Sequence, residues 1–299
     1  MLRGALVFML AAAAVLATAS PAVAQDFRDE AEVAAVLVPI TVRDAKGHVV
    51  ADLEQKSFRL YVDGIRFPIK SFWREGGLPL SLTFLLDTSG SMGTRRLGKS
   101  GEAILEFVRQ FRPGDEACLI TFGAAEVKRR LPFGTDPTLL KRILEPLSGF
   151  GTTALYDVLT VTPRSMEGAK NFRRAILLFT DGVDTASQFS SADALGVVMS
   201  LSDPLYVFGI EPPPPEGKGE SYDDLLRRFA EASGGRYLRV EDAAGLPEAA
   251  RDLRRELTQR YIIAFEPSGI GVVKQRSISV SVDGKLQVVT RLSYRGTLP

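Results

Sequence analysis

Asp87, Ser89 and Ser91 stand at alternate positions in Asp87-Thr-Ser-Gly-Ser-Met92, directly after the apolar run 80–86. One carboxylate and two hydroxyls so spaced, with Gly90 permitting a tight turn, can aim at a single centre. Two later segments carry oxygens of the same kind. Gly151-Thr-Thr-Ala-Leu-Tyr-Asp157 offers Thr153, and Leu177-Leu-Phe-Thr-Asp-Gly182 puts Asp181 at the end of a second apolar run. An oxygen-only donor set suits a hard cation, Mg²⁺ first, with Mn²⁺ or Ca²⁺ as alternatives. Two carboxylates among neutral hydroxyls leave such an ion short of charge compensation. Water, or an acidic side chain from another protein, would complete it.

These residues need a scaffold that gathers separated segments at one edge. Apolar stretches at 80–86, 117–122, 174–180, 205–210 and 237–240 read as strands. Amphipathic stretches at 97–111, 137–147, 155–166, 192–201, 222–232 and 246–260 read as helices between them. Near-continuous apolar strands alternating with helices predict an α/β fold, a doubly wound, mostly parallel sheet covered on both faces. A ribbon at 127–132 is expected as an antiparallel edge, and the run Pro212–Gly219 as a surface loop. In such sheets ligands collect at the carboxyl ends of strands, where Asp87 and Asp181 fall.

The flanks have a different period. Val36, Val38, Ile40 and Val42 alternate with Leu37, Pro39, Thr41 and Arg43, and turn signals follow at Lys46-Gly47 and Asp63-Gly64. This predicts an antiparallel meander over 36–73. Beyond Tyr261, the alternating run 277–282 and the Asp283-Gly284 turn predict a tight hairpin. A lone hairpin is marginal in water. Both ends are therefore expected to pair into one small antiparallel β-domain (25–79 and 261–299), with the α/β domain (80–260) inserted in it.

Composition narrows the classes of function. The 299 residues hold 37 basic and 36 acidic side chains. A basic start at Arg3, an apolar run and Ala22-Val23-Ala24 read as a signal peptide, 1–24, cleaved after Ala24. The alternative is a retained anchor, because that run approaches bilayer-spanning length. Cleavage predicts an exported protein, periplasmic or secreted, with no membrane insertion thereafter. Removing Arg3 leaves charges balanced, which argues against nucleic acid as a partner. Cys118 is the single cysteine, so no internal disulfide can form, and its apolar setting predicts a packed thiol.

The three site segments, in this order, resemble the metal-ion-dependent adhesion site of von Willebrand factor type A domains, D-x-S-x-S…T…D. The resemblance spans about 80–260. It implies that Asp87, Ser89, Ser91, Thr153 and Asp181 are ion ligands, some through water. The flanks look like those of bacterial secreted proteins related to this family, with Asp63-Gly64 and Leu78-Pro-Leu-Ser81 preceding the metal motif. The family's usual Gly-Gly-Thr is here Gly151-Thr152-Thr153. Register with Ala154-Leu155 assigns the ligand to Thr153 rather than Thr152. The implied function is non-enzymatic protein binding through a carboxylate offered by the partner.

Competing readings rest on fewer residues. Gly93-Thr-Arg-Arg-Leu-Gly-Lys-Ser100 matches the phosphate-loop pattern of Mg-dependent nucleotide enzymes, yet Thr88–Met92 intervenes between strand and loop. A Ser-His-Asp hydrolase would require His48, the sole histidine, which stands beside a turn. A phosphatase using Asp87 as nucleophile would want a carboxylate where Ser89 stands. A structural module with an unused ion site is a further alternative. Arg95, Arg96 and Lys99 are expected to be solvated, Asp157 and Asp184 to accept hydrogen bonds near the site or be solvated, and Trp73 to pack between the two domains.

Overall fold

The sequence folds into strands wherever apolar residues run together or alternate. In the computed structural model, residues 35–74, 78–124, 126–214, 221–267, 276–291 and 293–294 are described. The segment 1–24 expected as a signal peptide, Leu292, and Pro215, Gly217 and Gly219 of the expected loop lie outside these residues. Four strands come first: β1 (Val36–Arg43), β2 (Phe58–Val62), β3 (Ile65–Phe67) and β4 (Ser71–Arg74). The α/β part follows with β5 (Leu80–Asp87), α1 (Gly93–Arg109), β6 (Glu116–Gly123), β7 (Glu126–Leu131), α2 (Leu140–Leu144), α3 (Leu155–Ser165) and β8 (Arg173–Thr180). It continues through α4 (Ser191–Ser200), β9 (Leu205–Ile210), α5 (Tyr222–Ala232), β10 (Tyr237–Val240) and α6 (Leu246–Leu257). The chain closes with β11 (Tyr261–Phe265), β12 (Arg276–Val282), β13 (Gln287–Thr290) and β14 (Ser293–Tyr294).

Six strands form the central sheet in the order β10-β9-β8-β5-β6-β7, all parallel except the β7 edge. The α/β expectation therefore holds, including the antiparallel edge. Every residue of β5 and of β6 is buried, as a sheet covered on both faces requires. Leu80, Leu82, Phe84 and Leu86 face one side, where Ile104 and Phe107 of α1 and Leu253 and Leu257 of α6 complete the core. Leu85, Cys118, Ile120 and Phe122 face the other, against Leu155 and Val158 of α3, Val198 of α4 and Phe229 of α5.

α4 begins where Ser190 and Asp193 cap each other's backbone N–H groups. The helix expected over 137–147 is shorter, a 3-10 turn leading into five residues of α2. α1 starts earlier than its apolar periodicity suggests. Gly93–Ser100 is helical throughout rather than a loop, and Lys99 pairs with Glu102 at 2.8 Å on the same helix.

The two ends of the chain do pair, but in two sheets. One has the order β13-β1-β11-β4 and the other β14-β12-β2-β3. They share a core of Val38, Ile40, Leu60, Val62, Tyr261, Ile263, Phe265 and Ile278. The expected meander reduces to the β2–β3 hairpin around Asp63-Gly64, while β1 and β4 pair with β11 instead. The expected hairpin at Asp283-Gly284 does not form. β12 pairs with β2 and β13 with β1, so the turn carries the chain from one sheet to the other. An isolated hairpin would leave half its ladder in water, whereas each separated strand gains a buried partner. Asp283 anchors that turn by accepting from Arg59 at 2.5 Å.

The β-sheets and the α/β part meet through charge as well as packing. Glu256 of α6, almost fully buried, pairs with Arg43 of β1 at 2.5 Å and with Arg236 at 2.7 Å. Trp73 meets Phe172 edge-on at 5.6 Å across this junction but remains 37% exposed, so it bridges at the surface rather than within a core. Among the described residues no helix is long and apolar enough to cross a membrane.

Candidate functional site

β5 is the strand at which the sheet order turns, with β6 on one side and β8 on the other. The register pairs Leu86 with Phe179, which puts Asp87 beside Thr180 and Asp181 at the next position. Two carboxylates thus arrive at the carboxyl ends of neighbouring parallel strands, at the switch point where ligands bind in such sheets.

Asp87 is buried, and its recorded partners are neutral. Oδ1 accepts the Ser89 N–H at 2.8 Å, and Oδ2 accepts the Thr180 hydroxyl at 2.7 Å. Burial pushes the carboxyl up to about 6, against those hydrogen bonds, which pull it down, and the charge of Asp181 adds to the rise. Ser89 Oγ and Ser91 Oγ lie 3.1 Å apart, so both hydroxyls of the alternating pair point to one place.

The loop carrying Thr153 is bonded onto this turn. Phe150 N–H donates to Thr88 O at 2.9 Å and Gly90 N–H to Gly151 O at 2.9 Å, while Ala124 N–H donates to Thr152 O at 2.7 Å. Contact is close enough to dictate residue size. A Cβ at Gly149 would come within 2.6 Å of Ser89 O, and one at Gly151, where φ is +72°, within 2.7 Å of Ala124 Cβ. Thr153 is buried whereas Thr152 is exposed, which favours Thr153 as the inward residue. Thr153 O accepts from both Thr185 and Ala186 at 3.0 Å, tying this loop to the segment after β8.

Asp181 is also buried. Its Oδ2 accepts from Arg96 at 3.3 Å, but its Oδ1 has no hydrogen-bond partner among the described residues. A buried carboxylate oxygen left unpaired is costly. Together with the serine hydroxyls, it fits a hard divalent cation, which takes oxygen donors. Zinc fits less well, because the side chains gathered here offer oxygens and no His nitrogen or Cys sulfur.

The sequence reading missed Thr180, Arg96 and Glu211. Thr180 donates to Asp87 and its hydroxyl oxygen accepts the Gly182 N–H at 3.1 Å, so it couples the two strand ends. Only strand register brings it opposite Asp87. Arg96, expected to be solvated, points into the site and bonds Glu211 of the segment after β9 at 2.9 Å. Asp157 and Asp184 prove to be loop fasteners. Asp184 accepts the Leu155 N–H at 2.8 Å at the start of α3, and Asp157 accepts those of Gln188 and Phe189 at 2.9 and 3.1 Å. His48 sits on the exposed β-turn, 3.3 Å from Asp44. Cys118 is buried and its thiol is pushed up to about 11 by that burial.

Residues 82–183 match the von Willebrand factor type A domain family. No curated protein matches the chain. Among solved structures it is similar to a von Willebrand factor type A protein from Catenulispora acidiphila, at 14% identity and TM-score 0.51, over 80% of this chain and 75% of that one. It is also similar to proximal thread matrix protein 1 from the mussel byssus, at 17% identity and TM-score 0.50, over 62% of this chain and 49% of that one. At these identities the likeness is one of fold, and the α/β part has the von Willebrand factor type A fold.

Proposed function

We propose that the chain is an exported, non-enzymatic binding protein that engages an acidic residue of a protein partner through a divalent-cation site. The observation that carries this reading is the buried, unpartnered Asp181 Oδ1 beside the paired Ser89 and Ser91 hydroxyls and the buried Asp87. Asp87 and Asp181 supply the negative charge. Ser89, Ser91 and Thr153 supply neutral oxygens, which add donors without adding charge. A bound Mg²⁺ would supply an electrophilic centre with a position open to an Asp or Glu carboxylate. Likeness of residues 82–183 to von Willebrand factor type A domains supports a protein-interaction role. Export rests on the leader-like segment 1–24.

The nucleotide reading is disfavoured by the helical course of Gly93–Ser100 and by the pairing of Lys99 with Glu102. Thermal unfolding with EDTA, then with millimolar Mg²⁺, Mn²⁺ or Ca²⁺, tests the proposal. A rise in midpoint in the wild type that the Asp87→Ala variant lacks is expected. The absence of a rise with any ion overturns the ion site. ATP-dependent stabilisation abolished by Lys99→Ala would establish the nucleotide reading instead.

A further inference from the structure

Arg96 belongs to the first turns of α1, yet its guanidinium is turned toward the candidate ion site and is only 26% exposed. Nη1 donates to Ser91 O at 2.9 Å and to Asp181 Oδ2 at 3.3 Å, and Nε donates to Glu211 Oε2 at 2.9 Å. One cationic fork therefore touches the backbone of one candidate ligand and the carboxylate of another. Glu211, directly after β9, is held in a left-handed conformation with φ of 45°. Its other oxygen accepts from Ala243 N–H at 2.8 Å and from Arg95 at 2.5 Å. The Ala243 N–H, then Arg96 and Arg95, hold the Glu211 carboxyl down to about 2, so it is a permanent anion behind Arg96.

We propose that Arg96 is an affinity-setting residue, a tethered guanidinium that competes with the divalent ion for Asp181 while Glu211 holds it partly aside. The inference rests on the reading that Asp87, Ser89, Ser91, Thr153 and Asp181 form an ion site. A fixed positive charge beside Asp181 lowers the attraction of the site for any second cation. With Arg96 drawing on Asp181, the two carboxylates no longer balance a divalent charge, so the ion is retained weakly until an acidic group from a partner joins it. Glu211 works in the opposite sense, because it neutralises Arg96 and gives the guanidinium somewhere to rest. A purely structural tie between α1 and the ends of β8 and β9 would behave differently, since loosening either end would then weaken ion binding.

Two neutralising substitutions, the isosteric Glu211→Gln and the shorter Arg96→Gln, separate these roles. Mn²⁺ binding to the full chain is measured by electron paramagnetic resonance at pH 7.5, with circular dichroism to confirm folding. Arg96→Gln is expected to tighten Mn²⁺ on the order of tenfold, and Glu211→Gln to weaken it about threefold. Arg96→Gln with unchanged or weaker Mn²⁺ binding, while the wild type binds, overturns the role of Arg96 and leaves the ion site standing. If Arg96→Gln fails to fold, Arg96→Met, which keeps the apolar stem and removes the charge, is measured in its place, and unchanged or weaker Mn²⁺ binding there overturns the proposal. Mn²⁺ bound only by Arg96→Gln supports it strongly. Mn²⁺ bound by neither protein removes the ion site and the proposal together.

Discussion

Replacing Asp87 with Asn removes a charge and keeps the shape, and the stability it adds in the absence of a divalent ion should be largely cancelled once the ion is supplied. Burial raises the Asp87 carboxyl from 3.8 to about 6. A rise of that size disfavours the ionised form in the fold by about 3 kcal/mol. Because the folded value lies above the unfolded one, this contribution favours the fold fully below 3.8 and is lost as pH rises through about 6. In EDTA at pH 8 the Asp87→Asn variant should therefore be more stable than wild type by up to about 3 kcal/mol, converging toward it near pH 4. Its amide oxygen can still accept the Ser89 N–H, and its amide nitrogen can donate to the Thr180 hydroxyl oxygen, which replaces both existing bonds. Adding Mg²⁺ at about 100 times its dissociation constant should stabilise wild type by about 2.7 kcal/mol and the variant not at all. For a domain of this size the gain is about 5–10 °C in midpoint. Urea or thermal unfolding of both proteins from pH 4 to 8, with EDTA and with Mg²⁺, reads every arm. Equal Mg²⁺ stabilisation of the two proteins, or a stability difference independent of pH, would refute the reasoning.

Other perturbations reach the site from its supports. Thr180→Val removes the donor to Asp87 Oδ2 and the acceptor of the Gly182 N–H, and should destabilise the protein by about 1–3 kcal/mol in urea unfolding. It should also move the onset of Mg²⁺ stabilisation to higher pH, because Asp87 loses a bond that favours its charged form. Gly149→Ala drives a Cβ toward Ser89 O, and should weaken Mn²⁺ binding measured by calorimetry although no ligand atom changes. Glu256→Ala strands Arg43 and Arg236 at the junction of the β-sheets with α6, and should lower the urea-unfolding free energy by about 3 kcal/mol without altering Mn²⁺ affinity.

Much of the architecture is written in local pattern. Strands 205–210 and 237–240 match β9 and β10 residue for residue, and 222–232 matches α5. Burial on both sheet faces makes strands continuously apolar, and burial of one stripe makes helices periodic, so neither signal needs distant information. Asp87, Ser89, Ser91, Thr153 and Asp181 stood out for the same reason, as polar residues placed where apolar strands and their loops end.

Pairing was decided elsewhere. Nothing local tells the 277–282 stretch to leave its neighbour across Asp283-Gly284 and join β2, more than two hundred residues away in the chain. The choice depends on which strands can bury a common face, a property of the folded whole. The same holds within the site. That Thr180 bonds Asp87 follows from the β5–β8 register, and that Arg96 turns inward follows from Glu211 arriving at the end of β9. The sequence by itself determined which oxygens could gather. Tertiary structure decided which charges stand beside them, because electrostatic partners are set by distance in space rather than separation along the chain.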